Sequence, residues 1–552
     1  MSKVTAASLA ITALACFARW RGLIGSGAVR RAVRVGDAVA RRTMLVAILL
    51  GLAVLLVRAA LLPVWPIPKP VIYDEFSYLL QADTFARGRL TNPPHPLWQF
   101  FESIYIIQQP TYASKYPPGQ ALAMAVGQVV FGHPWFGVWL SCGALATALC
   151  WALQGWFRPG WALLGALIMF ELCVFSYWMN SYWGGAVAGI GGALVMGAWI
   201  RIARNREAPY AWLLGVGAVV LMFTRPYEGL LLVATAAIAL FLRDRRARVW
   251  LPIVGLIAAG VAWQGFYDYR VTGNPLRMPY QEYFEQYESV PPLTILPVQP
   301  TRAFRHFDLE FMDSGWTRDT NAKARSLQLP VIRGGDLAES ANSFFDSPIW
   351  VGILLGMAPA WLVSRRLRLP VVLVGVLIAG AMIELIFYAH YAAPFTAALL
   401  ILLIESLRQL RLWLARSSLA RKPGRLVAGQ FVILVLAGTL LAGELASSAW
   451  HVYNHTTADQ VQPANSRRGF IEKDLLERGA EEHVIFVRYT GRDSPHAEWI
   501  YNPADIDKSP VIWAQDMGAE NNKKLMEYYR GRSFWLFEPD KDWQNVRPYS
   551  EQ

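Results

Sequence analysis

Two adjacent carboxylates, Asp74 and Glu75, follow the first long apolar run and open an amphipathic stretch of the chain. Apolar residues in this stretch recur at helical spacing, so the acid pair is expected where a helix meets the membrane surface. Further on, Lys115 precedes Tyr116 and two prolines, which hold the backbone extended. A carboxylate and a cation that bracket one loop suit a general base working beside a phosphate site.

Each of these residues also has a purely structural interpretation. Asp74 could cap a helix that begins at Glu75, since aspartate in that position accepts backbone N–H bonds. The second acid and the nearby Lys115 favour a catalytic role for Asp74, with Glu75 as a supporting neighbour. Arg225 stands in a TRPYE turn. In a reaction that releases a phosphate, Lys115 and Arg225 would neutralise the negative charge of that leaving group. Both could instead be anchors at the membrane interface.

Other polar residues near the same loop, or at the start of a late apolar run, are weaker candidates for substrate binding. An interfacial His-Tyr pair also fits the aromatic belt of a membrane protein, and an acid beyond the first pair could simply face water. These candidates are Asp83, Glu102, Tyr116, His390 and Tyr391.

The composition indicates a polytopic membrane protein, because 54% of the 552 residues are hydrophobic and only 17% are charged. The formal charge of +12 comes from arginine clusters between apolar runs, as expected for cytoplasmic loops, so it sets topology and does not indicate nucleic acid. All four cysteines lie in apolar stretches. The sequence therefore indicates neither a disulfide framework nor a zinc site.

The apolar runs predict a mainly α-helical protein with eleven membrane spans and the C-terminus outside. The apolar run 120–131 is too short to cross, so residues 118–132 are expected to lie along the outer surface or to re-enter it. Residues 4–18 are expected to form an interfacial or frayed helix. The first loop (63–117) and the second loop (269–347, without clear periodicity) are predicted to share the outer side. The predicted spans are 44–62, 135–156, 160–179, 182–200, 210–224, 228–242, 249–267, 348–364, 370–388, 391–407 and 427–447.

Three regions follow from this pattern: a basic cytoplasmic segment (1–43), a transmembrane catalytic domain (44–449) and an extracytoplasmic α/β domain (450–552). In the last region, strand-like runs at 483–489, 511–516 and 533–539 alternate with helical patterns at 467–480 and 519–530. No nucleotide-binding motif accompanies them.

Several motifs resemble the GT-C superfamily of integral-membrane glycosyltransferases, in particular the protein O-mannosyltransferase and lipid A aminoarabinose transferase branch. They are YDEFSYLLQAD, SKYPPGQ, TRPYEG and HYAAP, and the resemblance covers about residues 44–410. It implies that Asp74 is the catalytic residue and that Lys115 contacts the donor phosphate. The sequence departs from the family's glutamate-lysine-proline run, because Ser114 precedes Lys115 and Tyr116 separates it from proline.

The resemblance implies an inverting hexosyl- or pentosyltransferase that moves a sugar from a polyprenyl-phosphate donor to a glycan, lipid or protein acceptor. The expected location is the extracytoplasmic face of a bacterial inner membrane. No cofactor or metal is expected, because the lipid-phosphate sugar is itself the substrate and side-chain cations neutralise the phosphate. The alternative is a transporter or flippase of a lipid-linked or anionic substrate, although transporters usually show internal repeats, and none is evident here.

Overall fold

The computed structural model describes residues 3–20, 26–70, 72–326, 328–345, 347–416, 425–457, 463–479, 482–489, 498–542 and 546–550. Over these residues the chain is mainly helical, with a small α/β region near the C-terminus, as predicted. The helices are α1 (Lys3–Trp20), α2 (Ser26–Ala40), α3 (Thr43–Ala60), α4 (Tyr73–Ala86), α5 (Gly119–Phe131), α6 (Trp135–Trp156), α7 (Pro159–Ile168), α8 (Phe170–Phe175), α9 (Ala186–Asn205), α10 (Tyr210–Thr224), α11 (Pro226–Phe241), α12 (Ala247–Thr272), α13 (Pro279–Tyr287), α14 (Phe307–Glu310), α15 (Arg318–Ala324), α16 (Leu329–Phe345), α17 (Pro348–Gly356), α18 (Ala358–Val363), α19 (Arg368–Ala381), α20 (Thr396–Arg416), α21 (Arg425–Thr457), α22 (Pro463–Glu477) and α23 (Ala519–Tyr528).

Within the described residues, six helical segments are long and apolar enough to cross a membrane. One of them, α6, has the predicted bounds, and α5 is the short apolar helix that the sequence indicated. The six segments are Thr43–Ala60, Trp135–Trp156, Ala186–Asn205, Ala247–Thr272, Ala389–Arg416 and Gly429–Trp450.

Three predicted spans are interrupted in the structure. The stretch 160–179 is divided into α7 and α8, and 348–364 into α17 and α18. In the stretch 370–388 the helix ends with α19, because the backbone groups that follow form hydrogen bonds with the second loop instead. There, the N–H of Thr294 donates to the carbonyl of Ile383 at 2.8 Å, and the N–H of Leu385 donates to the carbonyl of Pro292 at 2.8 Å.

Two further regions show more structure than their sequence patterns indicated. The N-terminal stretch, expected as an interfacial or frayed helix, forms the continuous helix α1, which packs along α21, and the hydroxyl of Ser8 donates to the carbonyl of Thr439 at 3.1 Å. The second loop, which lacked clear periodicity in the sequence, contains helices α13 to α16. In α13 the tyrosines at 280, 283 and 287 recur at intervals of three and four, the spacing of one helix face.

The C-terminal region has the predicted alternation of strands and helices. Its strands β3 (His483–Val487), β4 (Val511–Gln515) and β5 (Ser533–Phe537) are parallel, and β6 (Arg547–Pro548) pairs antiparallel with β5, giving the order β4-β3-β5-β6. Helix α21 continues to Thr457, past the predicted boundary at 450.

The first loop packs directly on this sheet. Phe100 and Tyr112 of the loop share a buried apolar cluster with Val484 and Phe486 of β3. The same loop contains a short hairpin, β1 (Ile106–Ile107) and β2 (Ala113–Ser114). Burial of apolar surface therefore fixes the loop against the C-terminal region, and the loop in turn positions the candidate site.

Candidate active site

Helix α4 presents the two acids in different directions. It begins at Tyr73 with Ile72 as its N-cap, so Asp74 is its second residue and Glu75 its third. The carboxylate of Glu75 accepts the N–H of Ile72 at 3.2 Å and the N–H of Tyr182 at 2.9 Å, and Glu75 is 1% exposed. The alternative in which Asp74 caps a helix starting at Glu75 is therefore wrong, because Glu75 binds the N-cap N–H itself.

Asp74 lies half-buried at the positive end of the α4 dipole. Its Oδ1 accepts a hydrogen bond from the phenol of Tyr116. Burial raises the pKa of Asp74 above its ordinary value, while the Tyr116 hydrogen bond and the charges of Lys115 and Arg225 lower it. The result is a carboxylate that binds a proton more readily than a solvated one, which is a property of a general base.

Lys115 lies in a cage of aromatic rings and is 7% exposed. Its ammonium is 3.5 Å from the ring centroid of Tyr105 and 4.8 Å from that of Tyr283. It also forms an ion pair with Glu288 at 2.9 Å. Cation–π contacts and one carboxylate hold the ammonium in place near Asp74.

Tyr105 reaches its place in this cage through an unusual backbone conformation. Its φ is 66°, in the left-handed region that costs a residue with a side chain on the order of 1–3 kcal/mol. Two hydrogen bonds hold it there: its N–H donates to the phenol oxygen of Tyr283 at 2.9 Å, and its carbonyl accepts the hydroxyl of Ser77 at 2.7 Å. The surrounding structure thus fixes the ring that faces Lys115.

Arg225 lies at the junction between α10 and α11. Its guanidinium carbon is 4.3 Å from the ring centroid of Tyr391, and one of its nitrogens is 3.6 Å from the carboxylate of Glu228. Gly119, at the start of α5, brings the first loop to this junction: a Cβ on Gly119 would lie 2.7 Å from the carbonyl oxygen of Phe223. Only glycine permits this close approach.

Tyrosines that the sequence did not single out pack around Tyr116. The ring of Tyr78 stacks on that of Tyr116 with centroids 4.5 Å apart, and the ring of Tyr280 meets it edge-on at 5.6 Å. The helical spacing of Tyr280 and Tyr283 was a signal that could have identified α13. Tyr105 and Glu288 gave no comparable signal, because their positions depend on contacts between distant segments.

Of the predicted site residues, the structure brings Asp74, Lys115, Tyr116, Arg225 and Tyr391 together. His390 lies next to Tyr391 but contacts other groups. Its Nδ1 is 3.0 Å from the phenol oxygen of Tyr177, and its ring centroid is 4.5 Å from that of Trp183.

Asp83 and Glu102 bind elsewhere. Asp83 accepts hydrogen bonds from Arg87 and from the N–H of Ala504, which ties α4 to the C-terminal region. Glu102 pairs with Arg305 at 2.9 Å and lies 3.2 Å from His306, which ties the first loop to the second. In the described structure, these carboxylates join segments of the chain and do not contact Lys115 or Asp74.

No group of three or more His, Cys, Asp or Glu side chains among the described residues is placed to hold a metal ion. The positive charge at the site comes from Lys115 and Arg225. One carboxylate and two cations can accept a proton and balance a phosphate in the same space.

The described chain combines a helical membrane region, a first loop that presents Asp74, and a small C-terminal sheet that packs on this loop. Among solved structures, ArnT from Cupriavidus metallidurans bound to undecaprenyl phosphate aligns with a TM-score of 0.54 and 15% identity, over 95% of this chain and 98% of ArnT. Apo ArnT aligns with a TM-score of 0.50 and 14% identity, over 94% and 98%. The GT-C fold implied by the sequence motifs is thereby confirmed.

The apo oligosaccharyltransferase of Archaeoglobus fulgidus aligns with a TM-score of 0.44 and 10% identity, over 81% of this chain and 62% of that protein. No protein-family model and no curated protein matches the sequence.

Proposed function

We propose that this protein is an inverting glycosyltransferase that moves a sugar from a polyprenyl-phosphate donor to an acceptor hydroxyl or amine. One observation carries the proposal: Asp74 is held by Tyr116 in the field of Lys115 and Arg225, at the start of a helix in the first loop. The likeness in fold to ArnT bound to undecaprenyl phosphate supports a lipid-phosphate donor.

In the proposed reaction, Asp74 takes a proton from the acceptor as the acceptor atom attacks the anomeric carbon of the sugar. The bond between that carbon and the phosphate oxygen breaks, and its electron pair leaves with the polyprenyl phosphate. Attack on the face opposite the phosphate inverts the anomeric configuration. The carboxylate ends the step protonated and returns the proton to solvent.

The leaving phosphate gains charge as the bond breaks, and Lys115 and Arg225 balance it. Lys115 is paired with Glu288 before substrate enters, so donor binding exchanges one anion for another at the same ammonium. Because two side-chain cations meet this need, we propose that the reaction uses neither a divalent metal nor a cofactor.

We also propose that the site faces the extracytoplasmic side of a bacterial inner membrane. The arginine clusters place the first loop outside by the positive-inside rule. The buried apolar cluster that the C-terminal region shares with that loop supports the same side for both.

The direct test is sugar transfer by the purified full chain in lipid nanodiscs. Synthetic polyprenyl-phosphate hexoses and pentoses are incubated with lipid and glycan extracts from a deletion strain, and released polyprenyl phosphate is measured by mass spectrometry. We expect release that depends on the extract, persists in EDTA and is lost in Asp74→Asn. Full release by a folded Asp74→Asn protein would contradict the assignment.

A further inference from the structure

A cavity of about 580 Å³ lies beside the candidate active site, between helix α16 and the segment 385–390. This volume is within the range of small-molecule sites in proteins. None of the residues to which the reaction above assigns a proton or a phosphate lines it. Its walls combine aromatic rings with carboxylates and hydroxyls.

The aromatic part of the wall is built around His390. Tyr388 stacks parallel to the His390 ring with centroids 5.9 Å apart, and Trp183 lies 4.5 Å from the same ring. Trp316, on the second loop, contributes another indole. Aromatic rings of this kind offer flat apolar faces with a polar edge.

The polar part comes from α16, through Asp336, Glu339 and Ser343. Arg333 fixes this wall: it is 2% exposed, pairs with Asp336 at 2.6 Å and donates to the carbonyl of Leu385 at 2.8 Å. Arg333 therefore links Asp336 to the backbone of the segment 385–390.

The segment between Tyr388 and Tyr391 connects the cavity to the candidate active site. Tyr388 lines the cavity, while Tyr391, whose ring is 5.8 Å from that of Tyr388, packs against Arg225. Neighbouring tyrosines therefore connect the cavity wall to the candidate active site.

Pyranose and furanose rings have apolar C–H faces and a rim of hydroxyl groups, which match aromatic faces and carboxylates respectively. We infer that this cavity binds a sugar ring, with its C–H face against the Tyr388 and Trp183 wall and its hydroxyls donating to Asp336 and Glu339. The inference rests on the proposed transferase function and names the part of the substrate that this second site holds. The ring belongs either to the donor or to the acceptor glycan.

A matched pair of substitutions tests the inference. Ser343→Trp fills the cavity, whereas Asn342→Trp places the same side chain on the adjacent exposed position of α16, which does not line it. Saturation-transfer NMR with a panel of methyl glycosides of common hexoses and pentoses reports ring binding to the full chain. We expect a signal with wild type and Asn342→Trp that falls by about tenfold or more in Ser343→Trp.

Native mass spectrometry then separates the two sources of the ring. If the ring belongs to the donor, Ser343→Trp weakens binding of polyprenyl-phosphate hexose but leaves bare polyprenyl phosphate unaffected. If it belongs to the acceptor, both lipids bind normally and the KM for acceptor rises instead. Trp316→Ala should act in the same direction as Ser343→Trp.

The inference is overturned if wild type gives no glycoside signal, or if Ser343→Trp and Asn342→Trp give equal signals. Failure of the transferase proposal looks different, because Asp74→Asn would then transfer sugar normally. A chain in which Asp74→Asn is inactive while Ser343→Trp binds and transfers as wild type retains the proposed function and loses only the cavity assignment.

Discussion

The phenol of Tyr116 donates a hydrogen bond to Oδ1 of Asp74, across 42 positions of sequence. The same tyrosine directly follows Lys115, so one dipeptide supplies both the acid's hydrogen-bond donor and the neighbouring cation. The residue that separates Lys115 from the prolines, a departure from the family pattern, thus contacts the proposed base.

The first prediction concerns Asp74. Because Ile72 is the N-cap and Glu75 binds its N–H, Asp74→Asn removes no cap and should leave thermal stability nearly unchanged. It should lower sugar transfer by about a hundredfold or more, the scale expected for loss of a general base. Transfer assays with melting curves recorded in parallel test this, and wild-type rates would disprove the role.

The second prediction is that Glu75, unlike Asp74, contributes more to stability than to the reaction. Its buried carboxylate accepts two backbone N–H groups, from Ile72 and Tyr182, so Glu75→Gln should destabilise the fold by about 1–3 kcal/mol. Residual transfer per folded molecule should exceed that of Asp74→Asn. A Glu75→Gln protein as stable as wild type, yet inactive, would assign the chemistry to Glu75 instead.

The third prediction is a pH dependence. Burial raises the pKa of Asp74, so transfer should fall with decreasing pH at values above the ordinary aspartate range, where this carboxylate takes up its proton. Tyr116→Phe removes a hydrogen bond that lowers this pKa, so the pH below which transfer falls should increase. Tyr78→Phe, which alters the neighbouring stacked ring, should leave that pH unchanged.

Because folded Asp74 binds a proton more tightly than the unfolded chain does, its contribution to stability is largest at low pH and declines as pH rises through the folded pKa. Kinetic profiles and melting temperatures should therefore move in opposite directions over that interval. If transfer by the wild-type protein fell only within the ordinary aspartate range of pH, the raised pKa of Asp74 would be contradicted.

The fourth prediction concerns the exchange of anions at Lys115. Lys115→Met should weaken donor binding by about tenfold or more, since a charge-assisted bond to phosphate is lost, and Lys115→Arg should keep part of it. Glu288→Gln should instead strengthen binding, because the carboxylate that competes for the ammonium is removed. Binding of polyprenyl phosphate to each variant measures this, and equal affinities would mark Lys115 as an interface anchor.

The fifth prediction is topological. In a Cys16→Ser background, cysteines at the exposed positions Pro96, Leu276 and Lys508 should react with an impermeant thiol reagent on intact cells. A cysteine at Asn205, in an arginine cluster predicted to be cytoplasmic, should react only after lysis. Protection of Lys508 alone would contradict the shared side of the first loop and the C-terminal region.

The sequence by itself determined the elements whose cause is local. The run 135–156 forms α6 with the predicted bounds, and the strand-like runs near 483, 511 and 533 form strands, because hydrophobic length and periodicity act within a few residues. It also predicted Asp74, Lys115 and Arg225 as site residues, since ionisable residues beside apolar runs are conspicuous, and the structure places these three near one another.

Tertiary structure decided which of two adjacent acids faces the site. A helix start at Tyr73 turns Glu75 onto backbone N–H groups and leaves Asp74 to meet Tyr116, and that start depends on the packing of the whole loop. The partner of Lys115 is Glu288, 173 positions away. Such long-range contacts, together with the left-handed backbone of Tyr105, arise only when separate segments share one buried space, so no local pattern could specify them.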